Sequence, residues 1–394
     1  MQLYMISMLI KHLLLFLFVS ISFSCSDAKA DKSGILPGAY QMGQYLPLLE
    51  GKSVGLFVNH TALINDTHLA DSLMDRGITI KSVFTPEHGF KGNYSDGEKI
   101  EQENIQKSFE LISLYGKHKK PSKEQIEGLD ILVIDIQEVG VRFYTYSSTM
   151  TYLMEACAKY DVPVLILDRP NPNGSYVDGP VLDTDLSSFV GLHPIPIVHG
   201  LTLGELAYMI NDEGWLSDGL QCNLEIVKVR NWTHNDFYTL PVKPSPNLPN
   251  DLSVALYPSL ALFEGTIVSI GRGTEKQFQI VGHPSYPDSS FAFTPEPNEG
   301  SKHPPLRGEK CFGIDLSDST IQNEFSLKYL LHFYEQLNGK TEKPFFNAYF
   351  RKLAGTDELK KQIESGMSET EIRKTWEEDL KAYKAIRSKY LLYK

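Results

Sequence analysis

An α/β fold built on a parallel sheet is what this sequence predicts, on two observations. Runs that are apolar without interruption, such as Leu129 to Ile136 (LDILVIDI), recur along the chain, and amphipathic stretches of helical period separate them. A strand apolar at every position has both faces buried, which takes helices on either side of the sheet.

The first such run is Val54 to Val58. A helical stretch around His68 to Arg76 follows, stopped by Gly77, and Ile78 to Phe84 reads as the second strand. Leu129 to Ile136 is the third, a helix spans about Thr149 to Tyr160, and Pro163 to Leu167 is the fourth. His193 to Val198 reads as a fifth strand, ahead of a helix from Leu203 to Asp212. The texture then changes: Pro241, Pro244, Pro246 and Pro249 put four prolines in nine residues, which interrupts any regular element. The domain junction is therefore placed here, with a sheet domain over residues 39–240 and a smaller α+β domain over 241–394. The last helix has the clearest signal. Ser368 and Glu371 form a capping box, and Ile372, Trp376, Leu380, Tyr383, Ile386 and Tyr390 step by three or four along one face.

Ahead of the fold, Lys11 and His12 precede an apolar stretch from Leu13 to Val19 and then small residues, the layout of a secretory signal over residues 1–24. Two cleavage readings stand. Cys25 fits the acylated first residue of a lipoprotein, with a tether over residues 25–38; alternatively Ala28-Lys29-Ala30 is a small-x-small site that leaves Asp31 first. Either way the chain is expected outside the cytoplasm: in the periplasm or on the outer membrane as a lipoprotein, otherwise secreted. The only membrane contact expected is through a lipid.

The 394 residues are 42% hydrophobic and 22% charged, enough to build a core and too apolar for disorder. With 38 Lys and Arg against 49 Asp and Glu the net charge is −11, which argues against nucleic acid as a partner. The four cysteines, 25, 157, 222 and 311, contain no C-x-x-C pair, so neither a zinc ribbon nor a disulfide-dense scaffold is expected.

In an open parallel sheet, ligands bind beyond the carboxyl ends of the strands. Those ends carry a heavy polar load here: Asn59-His60-Thr61; Thr85-Pro86-Glu87-His88-Gly89; Asp135 through Glu138 to Arg142; and Asp168-Arg169-Pro170-Asn171. The dinucleotide loop G-x-G-x-x-G is absent after the first strand, and Gly271-Arg272-Gly273 lacks its third glycine. There is no Walker A loop, no H-E-x-x-H and no G-x-S-x-G elbow. His60, Glu87, His88, Asp135 and His199 are metal-type donors at no fixed spacing, so neither a metal nor a cofactor is expected. Carboxylate chemistry remains, as in glycoside hydrolysis, where one acid protonates the leaving oxygen. Glu87 is the best acid candidate, stiffened by Pro86 and turned by Gly89, with His88 as its neighbour or a loop brace.

The strings VNHTA (58–62), TPEHGF (85–90), DIQEVGVRFYTY (135–146), LDRPNPNG (167–174), PSPNLP (244–249) and LFEGTIVSIGRGT (262–274) occur in this order. Together they resemble the bacterial exo-beta-N-acetylmuramidases, glycosidases long grouped as a domain of unknown function, from about Ile35 to the end. The resemblance implies a Rossmann-like catalytic domain with a smaller C-terminal domain. It also implies release of terminal N-acetylmuramic acid from non-reducing ends of peptidoglycan fragments, with muropeptides or disaccharides as partners and Glu87 as the catalytic position. Ile267 departs from the asparagine expected after Glu-Gly-Thr.

The second carboxylate is left among Asp135, Glu138 and Glu264. N-acetylmuramic acid carries a lactyl carboxylate, which calls for a cation. Arg142 is the first choice and Arg272 the second, with Arg169 also in the motifs; each equally fits a structural ion pair with Asp135, Asp168 or Glu275. Asn59, His60, Asp168 and Asn171 complete the candidate sugar contacts, and Tyr144 and Tyr146 offer either a stacking face or core packing. Two rival functions are a non-catalytic lipoprotein that binds wall fragments and a hexosaminidase of other specificity.

Overall fold

Alternate residues of each central strand enter different cores, and this is what a continuous apolar run means in three dimensions. In β4 (Ile131–Asp135), Ile131 and Val133 pack with Val54, Leu56, Leu69 and Leu73, while Leu132 and Ile134 pack with Phe57, Met150, Leu153 and Leu206. The computed structural model describes residues 34–93 and 108–394. The expected signal segment, Cys25 and the expected tether as far as Ser33 lie outside the described residues.

Six strands form the main sheet, all parallel: β1 (Ser53–Val58), β2 (Thr79–Thr85), β3 (Glu110–Ser113), β4, β5 (Val164–Leu167) and β6 (Leu224–Val227). Their spatial order is 6-5-4-1-2-3. The order reverses between β1 and β4, so the fold is doubly wound and its switch point lies beyond Val58 and Asp135. Helices α1 (Met42–Leu49) and α2 (Leu69–Met74) bury Tyr45, Leu49 and Leu73 on one face; α4 (Tyr146–Lys159) and α5 (Leu203–Asp212) cover the other, α3 (Lys123–Ile126) being a single turn.

Three strands differ from the sequence reading. Pro196–Val198 is a strand, but it pairs antiparallel with Asp178–Val181 outside the main sheet. The main sheet instead gains β3 and β6 as edges. Each has four residues and is only partly buried, so neither carries the apolar signature of a central strand. Ile35 to Gly38, read as tether, are docked: Leu36 pairs with Arg230, and the Gly38 amide donates to the Asp168 carbonyl at 2.8 Å.

Beyond the proline-rich segment, α6 (Asp251–Leu260) leads to a three-stranded antiparallel sheet, β7 (Ile280–His283), β8 (Ala292–Phe293) and β9 (Cys311–Asp315), with β9 in the middle. Helices α7 (Lys328–Leu337), α8 (Phe350–Ala354) and α9 (Glu358–Glu364) follow. The expected last helix is two: α10 (Glu369–Lys374), capped by Ser368 and Glu371, and α11 (Glu377–Arg387). The break falls at Trp376, whose backbone leaves helical geometry while its ring packs beside Phe325. Residues 35–394 make up one compact unit.

Candidate active site

A cavity of about 630 Å³ opens beyond the carboxyl ends of β2, β3 and β4, and residues from both halves of the chain line it. Glu87 reaches it from the turn after β2. In that turn the Gly89 amide donates to the Pro86 carbonyl at 3.1 Å, and His88 and Gly89 both have φ of 71°. A left-handed histidine is strained, by roughly 1–3 kcal/mol. It is held by burial and by a 3.3 Å contact between its Nε2 and Ser245 Oγ of the proline-rich segment. Thr145, at the N-cap of α4, donates its hydroxyl to Glu87 Oε2 at 3.2 Å.

Glu264 enters from the other side. It follows α6 in a short 3-10 turn, and Arg272 grips its Oε1 through Nε at 3.1 Å and Nη2 at 2.5 Å. Aromatic rings make the wall between the two acids: Tyr257 meets Phe143, Tyr144 and Phe278 edge-on, at centroid distances of 5.5, 6.1 and 4.9 Å. Burial, and secondarily the Glu264 charge, pushes the Tyr257 phenol well above its usual range, so it stays a donor. A narrower recess continues inward past Glu87, lined by His88, Tyr144, Ser245 and Asn247.

Glu87, Glu264 and Arg272 therefore share the main cavity, and His88 and Tyr144 line its inner recess. Tyr146 also borders the recess; the remaining candidates line neither space, and each has a structural engagement. Asp135 is fully buried and forms a fork with Arg169, at 2.5 and 2.9 Å. Glu138 accepts from the Gly140 amide, and its Oε2 is 3.7 Å from His199. Asn59 accepts from Thr61 and donates to the Tyr146 hydroxyl at 3.0 Å, which bridges the switch point. His60 meets the Lys243 carbonyl at 2.9 Å, and burial lowers its pKa. Asp168 accepts from Thr202, Gly204 and Tyr393, and Asn171 donates to Leu201. Among the described residues no three His, Cys, Asp or Glu side chains come together as a metal site.

Arg142 is the sharpest correction. It is 1% exposed, and its guanidinium donates to four carbonyls: Pro180 at 2.8 Å, Ile195 at 3.0 Å, and Leu353 and Ala354 at 2.8 Å each. Gly355 must be glycine for this, because it sits at φ 74° and a Cβ there would collide with Nη2. With both terminal nitrogens given to backbone carbonyls, this buried arginine fastens the two halves together and lines neither the cavity nor its recess. The tyrosine hydroxyls are likewise engaged: Tyr144 and Tyr146 both donate to the Pro244 carbonyl, at 2.9 and 3.3 Å.

Sequence reasoning missed Thr145, Tyr257 and the basic stretch Lys117 to Lys120. Thr145 stands in a motif between two tyrosines that drew attention first, and Lys117 and Lys119 follow a strand, β3, too short to be recognised.

Two acids and an aromatic wall in one cleft beyond a doubly wound sheet, with no phosphate-binding loop, define a glycosidase on a Rossmann-like scaffold. The chain belongs to the exo-beta-N-acetylmuramidase family. The family's N-terminal model matches residues 54–252 and its C-terminal model residues 255–393. A peptidoglycan beta-N-acetylmuramidase of Bacillus subtilis is 36% identical over 379 residues, 89% of each chain. Two solved structures, both DUF1343 family proteins of Bacteroides fragilis, superpose on it. One is 44% identical, with a TM-score of 0.85 over 92% of this chain and 99% of its own; the other is 26% identical, with a TM-score of 0.78 over 91% and 99%.

Proposed function

We propose that this enzyme removes terminal N-acetylmuramic acid from the non-reducing ends of peptidoglycan fragments, a step of cell-wall turnover and recycling. The observation that carries the reading is that Glu87 and Glu264 line one sugar-sized, aromatic-walled cavity. In the proposed chemistry, the Glu87 carboxyl gives its proton to the glycosidic oxygen as the bond to the anomeric carbon breaks. The electron pair leaves with that oxygen, and water completes the hydrolysis and returns a proton to Glu87. Thr145 fixes one Glu87 oxygen by donating its hydroxyl to it. Glu264, paired with Arg272, offers its carboxylate to the cationic sugar.

A chromogenic N-acetylmuramide tested beside the matching N-acetylglucosaminide decides the matter. Selective hydrolysis of the muramide supports the proposal; no turnover of either substrate points to a binding protein, and preference for the glucosaminide to another hexosaminidase. Export with Cys25 acylated belongs to the same proposal and rests on the sequence alone. A fatty-acid label lost in Cys25→Ala supports it, and a mature N-terminus at Asp31 overturns it in favour of a secreted form.

A further inference from the structure

The three arginines in the family motifs are each already engaged: Arg142 with carbonyls, Arg169 with Asp135 and Arg272 with Glu264. Three other cations line the same cavity, Lys117, Lys119 and Lys352. None of them has a carboxylate partner among the described residues, although the chain carries a net charge of −11 and acids are abundant. The contrast with the next residue is direct, because Lys120 bonds Glu155 at 3.2 Å and lies over Tyr152.

Lys119 is the best placed of the three. It is half-buried, and its Nζ lies 4.2 Å from the centre of the Phe189 ring. Phe189 is itself fixed, stacked on Tyr152 at 6.2 Å and tilted against Tyr115 at 6.4 Å. The ring therefore narrows the positions open to a flexible side chain without neutralising its charge. With Arg272 balanced by Glu264, the lining has an unbalanced excess of positive charge on the side formed by the loop after β3.

We propose that Lys119, with Lys117 and Lys352 in support, receives the carboxylate borne by the O3 ether arm of the muramic acid, and that this pairing sets selectivity over N-acetylglucosamine. The assignment rests on the muramidase reading above and names the residue that enforces it. That carboxylate has two sources, the free lactyl acid or the acids of a peptide attached to it. The chemistry at the lysine is the same, a charge-assisted hydrogen bond.

The test compares wild type, Lys119→Met, Lys119→Arg and the triple variant in which Lys117, Lys119 and Lys352 all become Met. Each is assayed on a chromogenic N-acetylmuramide, its lactyl methylamide, a muramoyl dipeptide and the N-acetylglucosaminide. The expected result is that Lys119→Met lowers kcat/KM on carboxylate-bearing substrates by about 10- to 150-fold relative to the glucosaminide, chiefly through KM. Lys119→Arg should recover most of the loss. A loss on the free lactyl acid assigns that carboxylate, and a loss confined to the dipeptide assigns the peptide's; either upholds the pairing. An unchanged ratio in Lys119→Met overturns the assignment to Lys119, and an unchanged ratio in the triple variant overturns cationic recognition altogether. Wild type inactive on every sugar would overturn the functional reading itself, a result distinct from these.

Discussion

Glu87 and Arg142 are both charged, both sit in family motifs and both follow strands of one sheet, yet their surroundings give them opposite work. Glu87 stands at a cavity with a hydroxyl on one oxygen; Arg142 lies buried among four carbonyls. Glu87→Gln keeps the shape and removes the titratable proton, so turnover on a disaccharide should fall at least ~10²-fold with the melting temperature held. Near wild-type turnover would move the acid role to Glu264, the other carboxylate in the cavity. Arg142→Met should behave in the reverse sense. Hydrogen bonds to a charged donor are worth roughly 1.5–3 kcal/mol each, and four buried carbonyls lose their partner, so a loss of at least about 3 kcal/mol is expected by urea denaturation. Any remaining activity should fall equally on muramide and glucosaminide. A stable Arg142→Met with altered sugar preference would restore this residue to the binding site.

At the scale of elements, the end of the chain acts as a strap across the sheet. The Tyr393 hydroxyl donates to Asp168 at 2.6 Å and accepts from the Val229 amide at 3.1 Å, while the Leu392 amide donates to Glu205 at 2.7 Å. Burial pushes the Asp168 carboxyl up to about 6 from an ordinary 3.8, against the donors Thr202, Tyr393 and Gly204, which favour its charged form. The unfolded chain loses this proton near pH 4, so between about pH 4 and 6 the folded state holds a proton that the unfolded state has released. Stability from this group therefore falls as pH rises through that window, by about 3 kcal/mol in all. Tyr393→Phe removes a donor that matters most to the ionised acid. Its cost should be about 1 kcal/mol greater at pH 8 than at pH 4, read from urea midpoints; equal costs would show that Asp168 does not titrate here.

The elements also show what a sequence makes legible. Central strands such as β4 and β5 were readable because both faces are apolar, and α5 matched to the residue because its capping box and period agree. Edge strands β3 and β6, with one side exposed, look like any mixed segment until their pairing is known. The division of α10 from α11 was invisible for a related reason: Trp376 keeps the helical period of its neighbours while its backbone departs from the helix. In the site, Glu87 was legible from a rigid turn of local sequence. The lysines, and the fate of Arg142, depend on partners about 40 to 210 residues away, which no local pattern carries.

For the whole molecule, the proline-rich junction and the boundary between the two family models suggest separable halves, whereas the hydrogen bonds argue for one cooperative body. Arg142 binds Leu353 and Ala354, Tyr383 donates to the His199 carbonyl at 2.8 Å, Arg373 pairs with Asp178, and Asn173 reaches the Val254 carbonyl at 3.1 Å. Most of these groups are buried, so a half expressed alone would leave charged and polar atoms without partners, at a cost of about 1–3 kcal/mol each. Several such losses together rival the whole stability of a typical domain, about 5–15 kcal/mol. Residues 35–394 should therefore melt in a single calorimetric transition whose van't Hoff and calorimetric enthalpies agree. A fragment of residues 35–252 should show no cooperative melt, and it should bind no sugar because Glu264, Arg272 and Tyr257 come from the missing half. Two resolved transitions in the intact chain, or a cooperatively folded fragment, would mean that these bonds join two independent domains.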